Sequence, residues 1–94
     1  MATLSDVEVQ DQLKGLSGWR QQGDAIAKSW TFEDFKHSLA FVNRVAELAE
    51  KLDHHPDILI QYDRVTLTLT SHDSGGLTSR DLRLASQIEG LGAP

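Results

Sequence analysis

The side chains best suited to chemistry here are histidines, and three of the four in the chain fall into a pattern. His54 and His55 stand side by side before Pro56 in "EKLDHHPD", with Glu50 one helical turn upstream. His72 sits between Ser71 and Asp73, and Asp81 follows in "TSRD". Imidazole, with an unperturbed pKa of ~6.5, gives or takes a proton near neutrality. Several imidazoles in different surroundings could divide acid and base roles. Zinc is the competing chemistry, because three imidazoles and a carboxylate could hold the ion with one position open. Against zinc, no histidine pair at i, i+4 spacing places two ring nitrogens on one helix face. No Ser–His–Asp arrangement or Gly-rich phosphate loop competes, and the absence of cysteine excludes thiolate chemistry and disulfides.

Each of these residues also has a plainer reading. A histidine near a helix C-terminus complements the dipole and bonds a free carbonyl. Asp81 occupies the third helical position after Thr78, where a capping carboxylate belongs. Glu50 reads equally as a solvated helix residue, Tyr62 as a strand aromatic at the core edge, and Trp19 as a packing residue. His37 falls on the polar side of its helix and reads as surface. Only convergence of the three histidines lifts them above these readings, and the elements must deliver it.

Ser5 and Glu8 have capping-box spacing, which predicts a short helix over roughly 5–15 with Val9, Leu13 and Leu16 on one face. Ala25–Trp30 alternates weakly and reads as a strand paired with a neighbour near 18–22. Thr31-Phe-Glu-Asp34 is a second capping signal, followed by a long helix to about residue 53. That helix carries two apolar rows, Phe35, Leu39, Val42, Ala46 and Ala49 beside Phe41, Val45, Leu48 and Leu52. A surface helix needs one stripe, so two suggest that it covers a sheet and also meets another helix, from this chain or a second subunit. Pro56 disfavours helical geometry at His55 and should end the helix there. His54 and His55 lie about 100° apart on a regular helix, so they converge only where it unwinds.

Ile58–Asp63 and Val65–His72 read as a hairpin, with Val65, Leu67, Leu69 and Ser71 on one face and Thr66, Thr68, Thr70 and His72 on the other. The far end of its second strand returns to the start of the first, which brings His72 back toward His54 and His55. Thr78 opens a last helix carrying Leu82, Ala85 and Ile88. The order α-β-β-α-β-β-α implies an α+β domain, a four-stranded antiparallel sheet with helices packed on one face.

At 94 residues the chain is read as one domain, 1–94. A core this small gains from oligomerisation. The start, "MATLSDVEVQDQL", has no basic segment followed by an apolar run, and no apolar stretch approaches the ~20 residues of a membrane span. A net charge of −5 disfavours phosphate backbones. A cytoplasmic protein without nucleic-acid or membrane partners is expected.

The run Glu50-x3-His54-His55-Pro56-x5-Tyr62-x9-His72-x8-Asp81 resembles the signature of the pterin-4a-carbinolamine dehydratases. "GWRQQGDAIAKSWTFEDF", "AEKLDHHPD" and "GLTSRDLRLA" resemble the same family, and the likeness runs from about Leu13 to Leu91. It implies dehydration of the 4a-hydroxytetrahydropterin released by aromatic amino acid hydroxylases to quinonoid dihydropterin, a step in tetrahydrobiopterin regeneration. It implies no metal or organic cofactor, a pterin substrate, and assembly through sheet edges and helices into homodimers or homotetramers. By the same resemblance His54 is the principal acid/base, His72 its counterpart, and His55 orients the pterin. Glu50 and Asp81 orient or bias imidazoles, while Trp19, Pro56, Ser71 and Asp73 line or contact the substrate. The alternative is an interaction module without turnover, since some animal relatives act as dimerisation cofactors of a transcription factor.

Overall fold

The computed structural model describes residues 2–93. Helix α1 (Asp6–Leu13) starts at the expected capping box, with the Glu8 amide donating to Ser5 Oγ and the Ser5 amide to Glu8 Oε1. Val9 is buried, and Leu13 and Leu16 pack against the same core. Strands β1 (Arg20–Gln22) and β2 (Ala25–Thr31) form a hairpin. Helix α2 (Phe35–Leu52) leads to β3 (Asp57–Gln61) and β4 (Arg64–Leu69). A single 3-10 turn, His72–Ser74, then precedes α3 (Ser79–Glu89).

All pairings are antiparallel and the sheet order is β1-β2-β4-β3. Register decides which face is covered. Ile26 opposes Leu69, Lys28 opposes Leu67 and Trp30 opposes Val65, while Ile58 and Ile60 oppose Leu67 and Val65 from the other side. Side chains alternate across a strand, so this set shares one face. Val9, Phe41 and Val45, with Leu82, Leu84, Ala85 and Ile88, complete the core over it. Val65, Leu67 and Leu69 share one face as expected and are fully buried, and truncating such a leucine costs ~2–5 kcal/mol.

Three local expectations are corrected. Thr31 is the last residue of β2, paired with Arg64, so it cannot cap α2; Asp34 does, accepting the His37 amide. Strand β4 ends at Leu69 because Ser71 pairs with Gly76 in a loop closed by Gly75 at φ +78°, and His72 begins the 3-10 turn. Tyr62 fills no core edge: it sits in the β3–β4 turn at φ 52° and is 65% exposed. On α2, Phe41 and Val45 of one row are buried; in the other row Ala49 is buried while Phe35 and Leu39 remain exposed in the isolated chain. No helix among the described residues is long and apolar enough to cross a membrane.

Candidate active site

Helix α2 is ended by Asp53, before Pro56 has any part in it. Asp53 adopts the left-handed conformation (φ 51°, ψ 45°), which aspartate tolerates better than most residues. The Asp53 amide then donates to the Glu50 carbonyl and the His54 amide to the Ala49 carbonyl, a Schellman closure. This reversal takes His54 and His55 off the helical periodicity. Glu50 and His54, one helical turn apart in the sequence, therefore do not share a helix face. Glu50 Oε2 instead bonds His55 Nε2, and both side chains are exposed.

His54 turns inward and meets Asp81 of α3. Its Nε2 lies 2.5 Å from Asp81 Oδ1, and the imidazole is 9% exposed against 0% for the aspartate. The other oxygen, Oδ2, accepts from Ser71 Oγ at 2.8 Å and from the Thr78 amide at 2.9 Å. Ser71 Oγ is also 2.9 Å from Thr78 Oγ1. Since the Ser71 hydroxyl proton goes to Asp81, the Thr78 hydroxyl must donate to Ser71 Oγ, while Thr78 Oγ1 accepts the Arg80 amide. Every proton in this buried network points toward the carboxylate.

That direction favours one tautomer of the histidine. With Asp81 as the carboxylate that its two accepted bonds suit, Nε2–H of His54 donates to Oδ1, and in the neutral ring Nδ1 holds the lone pair. Among the described residues Nδ1 has no hydrogen-bond partner. The free atom can take up or release a proton while Asp81 holds the ring's tautomer and orientation. The capping reading of Asp81 holds as well: it is the third residue of α3 and closes a capping box with Thr78. One side chain both starts the helix and anchors the imidazole. The Thr78–Asp81 capping-box spacing, one signal for this anchor, was visible in the sequence; the hydroxyl relay through Ser71 was not.

His72 directly follows Ser71 in the chain, so its backbone abuts the network. Its exposed side chain lines a depression of about 310 Å³ with Asp24, Ala25, Thr70, Gly75 and Gly76. This lies at the lower end of the ~300–1,000 Å³ typical of ligand pockets. Neither His54 nor His55 lines this depression. Among the described residues no group of three or more His, Asp or Glu is arranged to hold a metal ion.

The remaining expected site residues are dispersed. Ser71 is buried and donates to Asp81 rather than facing outward. Pro56 is half-buried and leads trans into β3. Asp73 is ion-paired with Arg80, whose guanidinium holds its carboxyl below the usual carboxylate range. Trp19 packs edge-on against Trp30 at 5.7 Å and donates from Nε1 to Glu89. It precedes β1, and the histidine pair precedes β3 at the opposite sheet edge, three strand spacings or about 14 Å across. The structure does not bring Trp19 to the histidines.

A family model described as pterin 4 alpha carbinolamine dehydratase matches residues 2–91. A relative from Thermomicrobium roseum, named "Putative pterin-4-alpha-carbinolamine dehydratase", is 50% identical over 91 residues, 97% of this chain and 98% of that one. A protein of the same name from Koribacter versatilis is 52% identical over 86 residues, 92% of each chain. The crystal structure of a transcriptional coactivator/pterin dehydratase from Brucella melitensis superposes with TM-score 0.90 at 35% identity, covering 95% of this chain and 97% of that one. A pterin dehydratase-like protein described as a RuBisCO assembly factor in the alpha-carboxysome superposes with TM-score 0.68 at 26% identity, covering 82% and 93%.

Proposed function

This chain belongs to the pterin 4 alpha carbinolamine dehydratase family, and we propose that it catalyses the family's reaction by histidine acid/base chemistry. The substrate is a 4a-hydroxytetrahydropterin. The C4a–O bond breaks, the hydroxyl leaves as water after receiving a proton, and a ring nitrogen gives up a proton to leave quinonoid dihydropterin. The buried His54–Asp81 contact carries this reading. It fixes an imidazole with one nitrogen tied and the other free, which is what a group that must accept and return a proton requires.

In this reading His54 Nδ1 is the principal acid/base, His72 is its counterpart, and His55 orients the pterin under the hold of Glu50. Asp81 is a positioning residue that acts through His54, and Ser71 supports it. Pro56 sets the course of the chain beside His55. The natural source of substrate is an aromatic amino acid hydroxylase, and the reaction calls on no metal or organic cofactor. Stopped-flow absorbance on a freshly generated 4a-hydroxypterin tests the proposal. The protein should accelerate loss of the adduct at catalytic concentration, and decay at the spontaneous rate would overturn it.

A second reading has its own observation. Phe35 and Leu39 on α2 are 47% and 41% exposed, and they form one row with half-buried Val42 and exposed Ala46. An apolar row left open in one chain is suited to covering by a second copy or another protein. Light scattering tests the homo-oligomer. A strict monomer that showed no pterin turnover and bound a stoichiometric foreign protein would favour the interaction module instead.

A further inference from the structure

His72 has no side-chain hydrogen bond of its own among the described residues, unlike His54 and His55. An acid or base must nevertheless be held near its working position, so its support has to come from the turn that carries it. That turn is short. Ser71 precedes His72 and is fixed from one side by its bond to Asp81. Asp73 follows His72 and accepts from Arg80 Nη2 at 2.7 Å. Arg80 and Asp81 are consecutive in the first turn of α3.

We propose that Arg80 is a positioning residue for His72, acting through Asp73. The two residues flanking His72 are thus held by two successive residues of one helix, and the same helix holds His54. The first turn of α3 thereby sets where the two imidazoles stand relative to each other. This inference rests on reading His72 as the counterpart of His54.

Two features argue that the contact serves placement. Asp73 is 71% exposed, and an ion pair with a partner so wet contributes little to overall stability. Arg80, by contrast, is drawn in to 30% exposure, and its Nε is buried with no acceptor among the described residues. An unpaired buried donor is a cost. The pose that incurs it is the one from which Nη2 reaches Asp73. The planar guanidinium fixes the direction of that bond in a way an ammonium does not.

Arg80→Gln, Asp73→Asn, their combination and Arg80→Lys provide the test, each read by stopped-flow dehydration and by NMR of the histidine rings. Either single change should lower kcat about tenfold with KM changed less than about twofold, and the double variant should be no worse than the singles, as expected for partners in one interaction. Arg80→Lys should recover part of the loss. The His72 ring resonances should move in Arg80→Gln while those of His37 stay in place. Unchanged kcat and unchanged His72 resonances in a folded Arg80→Gln protein would overturn the proposal, as would losses that multiply in the double variant. If Arg80→Gln fails to fold, Asp73→Asn carries the same comparison. If the unaltered protein shows no turnover, the dehydratase reading falls, and the His72 resonances alone decide whether Arg80 positions the turn.

Discussion

Helix α2 has a histidine–carboxylate pair near each end, and the two contacts are of similar length. At the start, His37 Nδ1 lies 2.7 Å from Asp34 Oδ1; at the end, His54 Nε2 lies 2.5 Å from Asp81 Oδ1. Their surroundings differ completely. The first pair is 55% and 40% exposed and its partners are three residues apart. The second is 9% and 0% exposed and spans 27 residues. Water competes for both groups of the first pair, and its carboxylate is occupied mainly with capping the helix. The Asp34 carboxyl is held below its ordinary range first by the His37 amide, then by the ring. At the other end a dry carboxylate takes a hydroxyl, an amide and an imidazole at once. An imidazole–carboxylate distance therefore does not by itself single out a candidate site; exclusion of water and the number of donors separate the two pairs.

Removing the buried imidazole should produce the largest effect. His54→Ala is expected to slow adduct dehydration ~10²–10⁴-fold with the circular dichroism spectrum unchanged, and a folded variant at full rate would leave the two pairs functionally alike. Asp81→Ala should come next, affecting fold and rate together. It leaves a buried imidazole, hydroxyl and amide without their acceptor, a loss of about 3–5 kcal/mol readable by urea denaturation. Glu50→Gln alters only an exposed contact, so the rate should fall about fivefold or less; a loss approaching that of His54→Ala would promote His55 above its assigned role.

The smallest effect belongs to the exposed end and depends on pH. The His37 pKa is raised from 6.5, chiefly by its bond to Asp34, and the Asp34 pKa is lowered from 3.8. The stabilisation from His37 is therefore fully present below 6.5 and disappears as pH rises through its higher folded value. That from Asp34 is present above 3.8 and disappears as pH falls through its lower folded value. His37→Gln should thus lower Tm most between those limits and least in alkaline buffer. A Tm difference that persisted unchanged at alkaline pH would remove the charge from the account of this cap.

What the sequence made legible was local. Capping boxes at Ser5 and Thr78, the apolar rows of α2 and the alternation Val65-Leu67-Leu69 are written in short-range spacing, and the elements formed where those patterns stood. The family signature likewise held Glu50, His54, His55, His72 and Asp81 together. Their pairing was not legible. Four-residue spacing put Glu50 and His54 on one helix face, and that logic fails because Asp53 adopts a left-handed conformation before either histidine is reached. The union of His54 with Asp81 depends on how α3 lies over the sheet, which no local window encodes. Thr31 illustrates the same limit: its capping chemistry was readable, but β-pairing with Arg64 had prior claim on it.

The start of α3 also has a kinetic signature. Amides at the beginning of a helix lack intrahelical acceptors and normally trade hydrogen with solvent early. Here the Thr78 amide is locked to a carboxylate that is itself fully enclosed. In deuterated buffer its proton should persist until the whole domain opens, and this usually labile end of a helix should rank among the slowest reporters in the chain.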